Sequence, residues 1–255
     1  MHILLTNDDG ILAPGLLAMY RALVDLGEVV VAAPSTAQSA TAHGITINEP
    51  LTAQRVHVHH EFHGWSIAGR PADCVKLAID QLVGHRPDLV VSGINDGANA
   101  GINVLYSGTV AAAAEGALLG FPAVAVSLER GEELDFDWAA RIARTVIEKA
   151  VRHPLGAGCL LNVNIPNLVS GRPAGVKVAP QSVQRMDDHY EKREGPDGAT
   201  QYYLRGWFRK PEAGVEADLN ALGTGHVVVT PLHFDLTARE QLATWRAVDW
   251  GSLPS

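Results

Sequence analysis

The sequence predicts a doubly wound, mostly parallel α/β sheet of Rossmann-like type followed by a C-terminal hairpin arm, and three observations lead there. Short β-branched runs alternate with longer helical patterns through the first two thirds of the chain. Those runs are apolar without polar alternation, as strands covered on both faces require. After about residue 180 the character changes to polar, charge-mixed segments punctuated by turn residues and aromatics. With 255 residues, 47% hydrophobic and 19% charged, the chain can bury one large core or two modest ones, which excludes a disulfide-stapled miniprotein.

In chain order, residues 3–6 read as a strand, 15–26 as a helix and 29–33 as a second strand, a βαβ rhythm. It recurs as strand 65–68, helix 71–83, strand 89–92, helix 109–119, strand 123–127, helix 136–152 and strand 160–164. Residues 184–208 read as a long hairpin turning at Gly195-Pro196-Asp197-Gly198. Its Tyr202, Tyr203, Trp207 and Phe208 cannot all be buried by two strands, so the arm either packs on another subunit or folds back over its own domain. Residues 226–230 read as one more strand and 237–248 as a terminal helix, whose Trp245 and neighbouring Trp250 need a partner surface. The expected division is a catalytic domain over 1–180 and an assembly portion over 181–255.

Composition narrows the function. Lys+Arg 20 against Asp+Glu 28 gives a formal net charge of -8, which repels a phosphate backbone and argues against a nucleic acid duplex or anionic membrane as partner. A phosphorylated ligand must then be held by local groups. Cys74 and Cys159 lie far apart without metal-ligand spacing, which suits a reducing compartment. The opening apolar run stops at Asp8, too short for a signal peptide, and the stretch 109–128 is broken by Glu115, Gly120 and Pro122. A cytoplasmic protein is expected.

In an open parallel sheet, ligands bind beyond the carboxyl ends of the strands. Adjacent carboxylates there, Asp8 and Asp9, raise one another's pKa unless a cation neutralises them, and a hard divalent ion, Mg²⁺ or Mn²⁺, takes such oxygen donors together with a hydroxyl and an amide carbonyl. Asp8, Asp9, Ser39 and Asn95 offer that set; the alternative is that Asp8 or Asp9 caps a helix or fixes a turn. Ser107-Gly108-Thr109 opens an Ala-rich helix whose free N–H groups and hydroxyls make an anion site, or else supply an ordinary N-cap. No G-x-G-x-x-G follows the first strand and no G-x-x-x-x-G-K-[ST] exists, which counts against dinucleotide oxidoreductases and P-loop NTPases. A receiver-type signalling domain shares the paired acids but lacks the length and a third acid with a lysine.

His57, His59, His60 and His63 fit an exposed edge strand better than a metal site. His43 lies where its loop should overhang the cation, as a proton donor or, the plainer role, in packing. Asp73 reads as a capping acid, Lys76 as a solvated charge and Arg70 as a weak phosphate contact.

These residues together resemble the SurE family, the stationary-phase survival proteins that act as metal-dependent 5'/3'-nucleotidases. The likeness lies in residues 3–10, the loop 33–39, Gly69-Arg70-Pro71-Ala72-Asp73-Cys74-Val75, Ser92-Gly93-Ile94-Asn95-Asp96-Gly97-Ala98-Asn99 and Tyr106-Ser107-Gly108-Thr109. Asn162-Val163-Asn164-Ile165-Pro166 and Val229-Thr230-Pro231-Leu232 extend it, while Gln181-Ser182-Val183-Gln184 and the Gly195–Gly198 turn depart from the pattern. The resemblance implies a divalent ion on Asp8, Asp9, Ser39 and Asn95, one per subunit; Asn95, Asn99, Ser107, Gly108 and Thr109 are then expected to hold the phosphoryl oxygens. It implies hydrolysis of nucleoside monophosphates and other small phosphomonoesters, with water or Asp8 as nucleophile, by a homodimer or homotetramer built through the arm and a swapped C-terminal segment. A broad phosphatase or exopolyphosphatase, and a metal-dependent nucleotide sensor, are the other readings.

Overall fold

A computed structural model describes residues 1–167, 171–208 and 214–251, with the side chains of Trp207 and Phe208 outside the described set. Eleven strands and six α-helices are described. The chain begins β1 (His2–Thr6), α1 (Pro14–Leu23), β2 (Glu28–Pro34), β3 (Ala53–Val58), β4 (Phe62–Ile67), α2 (Pro71–Leu77) and β5 (Leu89–Asp96). It continues as α3 (Gly108–Leu118), β6 (Ala123–Leu128), α4 (Phe136–Ala150), β7 (Cys159–Ile165) and β8 (Val176–Val178). Then come the arm strands β9 (Met186–Glu194) and β10 (Thr200–Phe208), α5 (Asp218–Gly223), β11 (Val227–His233) and α6 (Leu242–Arg246).

Nine strands form one sheet in the order β3-β4-β2-β1-β5-β6-β7-β11-β8. The run from β4 to β7 is parallel throughout, β3 pairs antiparallel with β4, and β11 pairs antiparallel with β7 and parallel with β8. Alternation of small and branched apolar residues along each central strand feeds two cores. Ile3, Leu5, Val91, Val124 and Val126 meet Leu16, Met19 and Leu23 of α1 and Ala143 and Ile147 of α4 on one face. Leu4, Val90, Ala123 and Ala125 meet Val75 of α2 and Val110, Ala113 and Ala117 of α3 on the other. Each large side chain so buried contributes ~1.5–3 kcal/mol from area removed from water.

The direction of winding reverses at β1, which lies between β2 and β5, so the carboxyl ends of β1 and β5 flank the switch point where such sheets open a crevice. Pro14 occupies the first turn of α1, where its missing N–H is not needed. Asp135 caps α4 by accepting from the Trp138 N–H at 2.8 Å.

Several expectations need correcting. The strand expected at 89–92 does not stop at Ser92: after a register shift it resumes pairing with β6, Asn95 opposite Ser127 and Asp96 opposite Leu128, so both polar residues lie on β5 itself. The helix after Pro71 is regular only to Leu77 and widens into a π turn over Ala78–Leu82. The terminal helix is a 3-10 turn, Arg239–Gln241, and the short α6, preceded by a turn in which Asp235 accepts from the Thr237 N–H at 2.9 Å. The histidine cluster divides between β3, β4 and the turn that joins them. The chain turns at His59 and His60, both at positive φ, so that His57 on β3 stacks on His63 of β4 with ring centroids 4.4 Å apart. The hairpin arm forms as expected, with Leu204 opposite Tyr190 and both exposed, and Trp245 stacks on Trp250 at 6.0 Å with both largely in solvent.

Candidate active site

The turn after β1 is held by Asn7, whose side chain donates to the Gly10 carbonyl at 3.0 Å and accepts from the Gly10 N–H at 3.2 Å. Gly10 takes φ +103°, a conformation that L side chains resist. Helix α1 starts later, with Ala13 at its N-cap and no side chain capping it. Neither aspartate therefore caps that helix, and neither side chain closes the turn.

Asp8 is buried and accepts a hydrogen bond from the Thr109 hydroxyl at the start of α3. Burial pushes its pKa up to about 6, against the Thr109 hydrogen bond and with help from the neighbouring Asp9 charge. Asp9 is half-buried, accepts from the Asp96 N–H at 3.1 Å, and is also raised by burial. The Asp96 N–H and the charge of Arg130 pull it back, while the Asp96 charge adds to the rise. Arg130 donates to Asp96 at 3.0 Å.

Asn95 commits its amide nitrogen to the Gly97 carbonyl at 2.6 Å, which leaves its side-chain oxygen as the group for a cation. Ser39 is exposed, and its neighbour Gln38 donates its N–H to the Asp8 carbonyl at 2.7 Å, so the Ser39 segment is fastened to the end of β1. Gly108 presses on Asp8: a Cβ there would stand 2.8 Å from the Asp8 Cβ. Ser107 does cap α3, accepting from the Val110 N–H at 3.1 Å, and this leaves the hydroxyl proton to donate elsewhere. The N–H groups of Gly108 and Thr109 belong to the first turn, where no intrahelical acceptor exists.

Asn99 is buried and wired backward into the sheet. Its amide nitrogen donates to Ser127 at 2.8 Å, its backbone N–H to Asn164 at 2.8 Å, and its carbonyl accepts from Asn162 at 2.7 Å. The structure thus brings Asp8, Asp9, Asn95, the Ser39 segment and the α3 entrance to one sheet edge, and one of the two N–H donors of the Asn99 side chain goes to Ser127.

Sequence reasoning passed over Asn7, Asp96, Arg130 and the Ser127, Asn162 and Asn164 partners. Asn162 and Asn164 carried a usable signal: asparagines two apart in an apolar strand share a face and, if buried, must hydrogen-bond. Asp73 does cap α2, accepting from the Arg70 N–H at 2.9 Å, but it also holds Thr46 through N–H and hydroxyl at 2.8 and 2.7 Å. Lys76 is not merely a solvated charge, since it donates to Glu115 at 2.8 Å.

Fold and site together define a doubly wound α/β protein with a paired-carboxylate centre and a helix N-terminus at the switch point of its sheet. The family model described as "Survival protein SurE" matches residues 3–188. The chain belongs to the SurE family. It is 48% identical over 257 residues, covering all of both chains, to the protein named 5'-nucleotidase SurE of Rhodopirellula baltica. The protein of that name from Heliobacterium modesticaldum is 44% identical, over 93% of this chain and 88% of its own. The crystal structure of the SurE protein from Aquifex aeolicus superposes with a TM-score of 0.83 at 36% identity, covering 96% of this chain and 98% of that one.

Proposed function

We propose that this protein is a metal-dependent 5'/3'-nucleotidase that hydrolyses nucleoside monophosphates to nucleoside and phosphate. The observation that carries the reading is the junction of Asp8 with Thr109, which sets a carboxylate pair directly against a helix entrance able to bind an anion. The names of the full-length relatives point the same way.

The donor set fits a hard divalent cation: a buried carboxyl whose pKa burial pushes up to about 6, a second raised one beside it, an amide oxygen and a hydroxyl, all oxygen ligands. Asp8, Asp9, Asn95 and Ser39 would hold one Mg²⁺ or Mn²⁺ per subunit. When bound, such an ion supplies Lewis-acid polarisation of a phosphoryl oxygen. The N–H groups of Gly108 and Thr109 and the Ser107 hydroxyl would receive the other phosphoryl oxygens, stabilising the charge that gathers on them as the ester bond breaks. Asn99, fixed by Ser127, Asn162 and Asn164, would hold the loop between β5 and α3 at the distance the phosphate needs.

Among the described residues no helix is long and apolar enough to cross a membrane. The exposed Tyr190, Tyr202, Leu204, Trp245 and Trp250 support assembly into a homodimer or homotetramer through the arm and C-terminal segment, residues 181–255.

The test is phosphate release from nucleoside 5'- and 3'-monophosphates, p-nitrophenyl phosphate and polyphosphate, each with Mn²⁺, Mg²⁺ or EDTA. Metal-dependent release from nucleotides is expected, lost in Asp8→Asn and Asp9→Asn proteins that still fold. Indifference to the leaving group would replace the reading with a general phosphatase; tight binding without release would replace it with a sensor.

A further inference from the structure

Glu115 lies in the middle of the Ala-rich α3 with its side chain 3% exposed, where a carboxylate is costly unless it is paired. It is paired twice. Lys76 of α2 donates to Oε1 at 2.8 Å, and His43, from the segment between β2 and β3, donates from Nε2 to Oε2 at 2.9 Å. Both bonds hold the Glu115 carboxyl below the usual carboxylate range against its burial, the His43 bond more than the Lys76 bond. The His43 bond is also a tether, because it fastens the segment that contains Ser39 to α3.

That segment needs one. Ala40 and Ala42 both stand in the left-handed region, at φ 56° and 51°, which costs about 1 kcal/mol or more for each residue bearing a Cβ. Two non-glycine residues persist there only if the surroundings hold them. On one side of Ser39 the Gln38 N–H is fixed to the Asp8 carbonyl; on the other the Ala42 N–H is fixed to the Tyr106 carbonyl at 3.1 Å, and His43 to Glu115. The three residues Ser39, Ala40 and Thr41 thus form an arch clasped at both feet, one foot on the carboxylate strand and the other on the segment leading to the α3 entrance and on α3 itself.

We propose that His43 is a positioning residue for the cation, clamping this arch through Glu115 so that the Ser39 hydroxyl is preset beside Asp8. This rests on the reading that Asp8, Asp9, Asn95 and Ser39 hold a divalent ion. His43 touches neither ion nor substrate; it acts only through Ser39. Gln in its place sets an amide N–H at nearly the reach of the imidazole Nε2 and preserves the tether, whereas Ala removes it.

The experiment is Mn²⁺ titration of the full-length protein, read as loss of the free-ion EPR signal, alongside thermal melts in EDTA. His43→Ala is expected to weaken Mn²⁺ binding about tenfold, the scale of a lost supporting partner, and His43→Gln to restore it. The Ser39→Ala, His43→Ala double variant should bind no more weakly than Ser39→Ala alone, since one acts through the other. This comparison separates positioning from general loosening, which would make the two losses add. Wild-type affinity in His43→Ala, failure of His43→Gln to restore binding, or additive losses would overturn the proposal while leaving the metal reading in place. If the wild type binds Mn²⁺ no better than Asp9→Asn, the metal reading itself fails and the proposal with it.

Discussion

The Thr109 hydroxyl donates a hydrogen bond to Asp8, joining the end of the first strand to the first turn of a helix that begins a hundred residues later. The bond couples the carboxylate pair to the anion-binding helix start and opposes the burial that would otherwise keep Asp8 protonated. Thr109→Val keeps the shape and removes the donor. A hydrogen bond to a charged group is worth about 1.5–3 kcal/mol, so kcat/KM should fall roughly 10–100-fold while the fold is retained. Steady-state kinetics and a thermal melt check both halves; unchanged kcat/KM would detach Thr109 from the reaction.

The raised pKa of Asp8 makes a second prediction, for protein stripped of metal with EDTA. Between 3.8 and about 6 the folded protein keeps a proton that the unfolded chain has already released. Stability therefore falls as pH rises through this window and stays lowered above it. Two pKa units amount to ~3 kcal/mol. The stability advantage of Asp8→Asn should accordingly grow from little near pH 4 to about that amount at pH 7, as followed by urea denaturation. Adding Mn²⁺ at pH 7 should raise the melting temperature of the wild type and leave that of Asp8→Asn nearly unmoved.

What the sequence disclosed, and what it hid, follows from the range of each interaction. The central strands were legible because both faces of the sheet are covered, which leaves uninterrupted apolar runs such as Leu89-Val90-Val91. The end of β5 was not, since Gly93, Asn95 and Asp96 break that pattern while the strand goes on pairing with β6. β8 was missed because its three residues are exposed and carry no burial signal, and α5 because six residues are too few to show a helical period. Asp8 and Asp9 stood out as neighbours, and Ser107 as a helix entrance. The Glu115 pairing gave no local sign: its partners lie 39 and 72 residues away, and nothing at helical spacing answers it.

Gly108 tests how tightly the helix entrance fits the carboxylate. A Cβ at this position would stand 2.8 Å from the Asp8 Cβ and 3.0 Å from both Asp8 Oδ2 and Pro71 Cγ. Alanine favours a helix over glycine by up to about 1 kcal/mol, so Gly108→Ala should not unfold α3. It should shift Asp8 instead. Displacement of a reacting group by the order of an ångström costs on the order of 100-fold, and kcat/KM should fall by that much with the melting temperature nearly unchanged. A large thermal loss with proportionate activity would show that the contact serves packing rather than the site.

Asp218 ties the C-terminal third to the loop that leads into the helix entrance at Ser107. The side chain is fully buried. Oδ2 accepts from the Gly101 N–H at 2.7 Å, and Oδ1 from the Ser182 N–H at 2.9 Å and the Leu219 N–H at 2.7 Å. Gln181 reinforces the junction by donating to the Gly101 carbonyl at 2.9 Å. Asp218→Ala would strand three backbone donors away from water, each costing about 1–3 kcal/mol if nothing replaces the acceptor. Allowing for relaxation, a loss of roughly 3 kcal/mol is expected, seen as a fall in melting temperature of about 6–12 °C for a chain of this size. Asp218→Asn keeps the Oδ1 acceptor but turns an N–H₂ toward the Gly101 N–H, so its damage should centre on that loop. It should lose less stability than Asp218→Ala yet show a raised KM for nucleotide, because Gly101 opens the turn that sets Ser107 and Thr109. Equal stability loss in both variants with unaltered KM would confine Asp218 to holding the fold together.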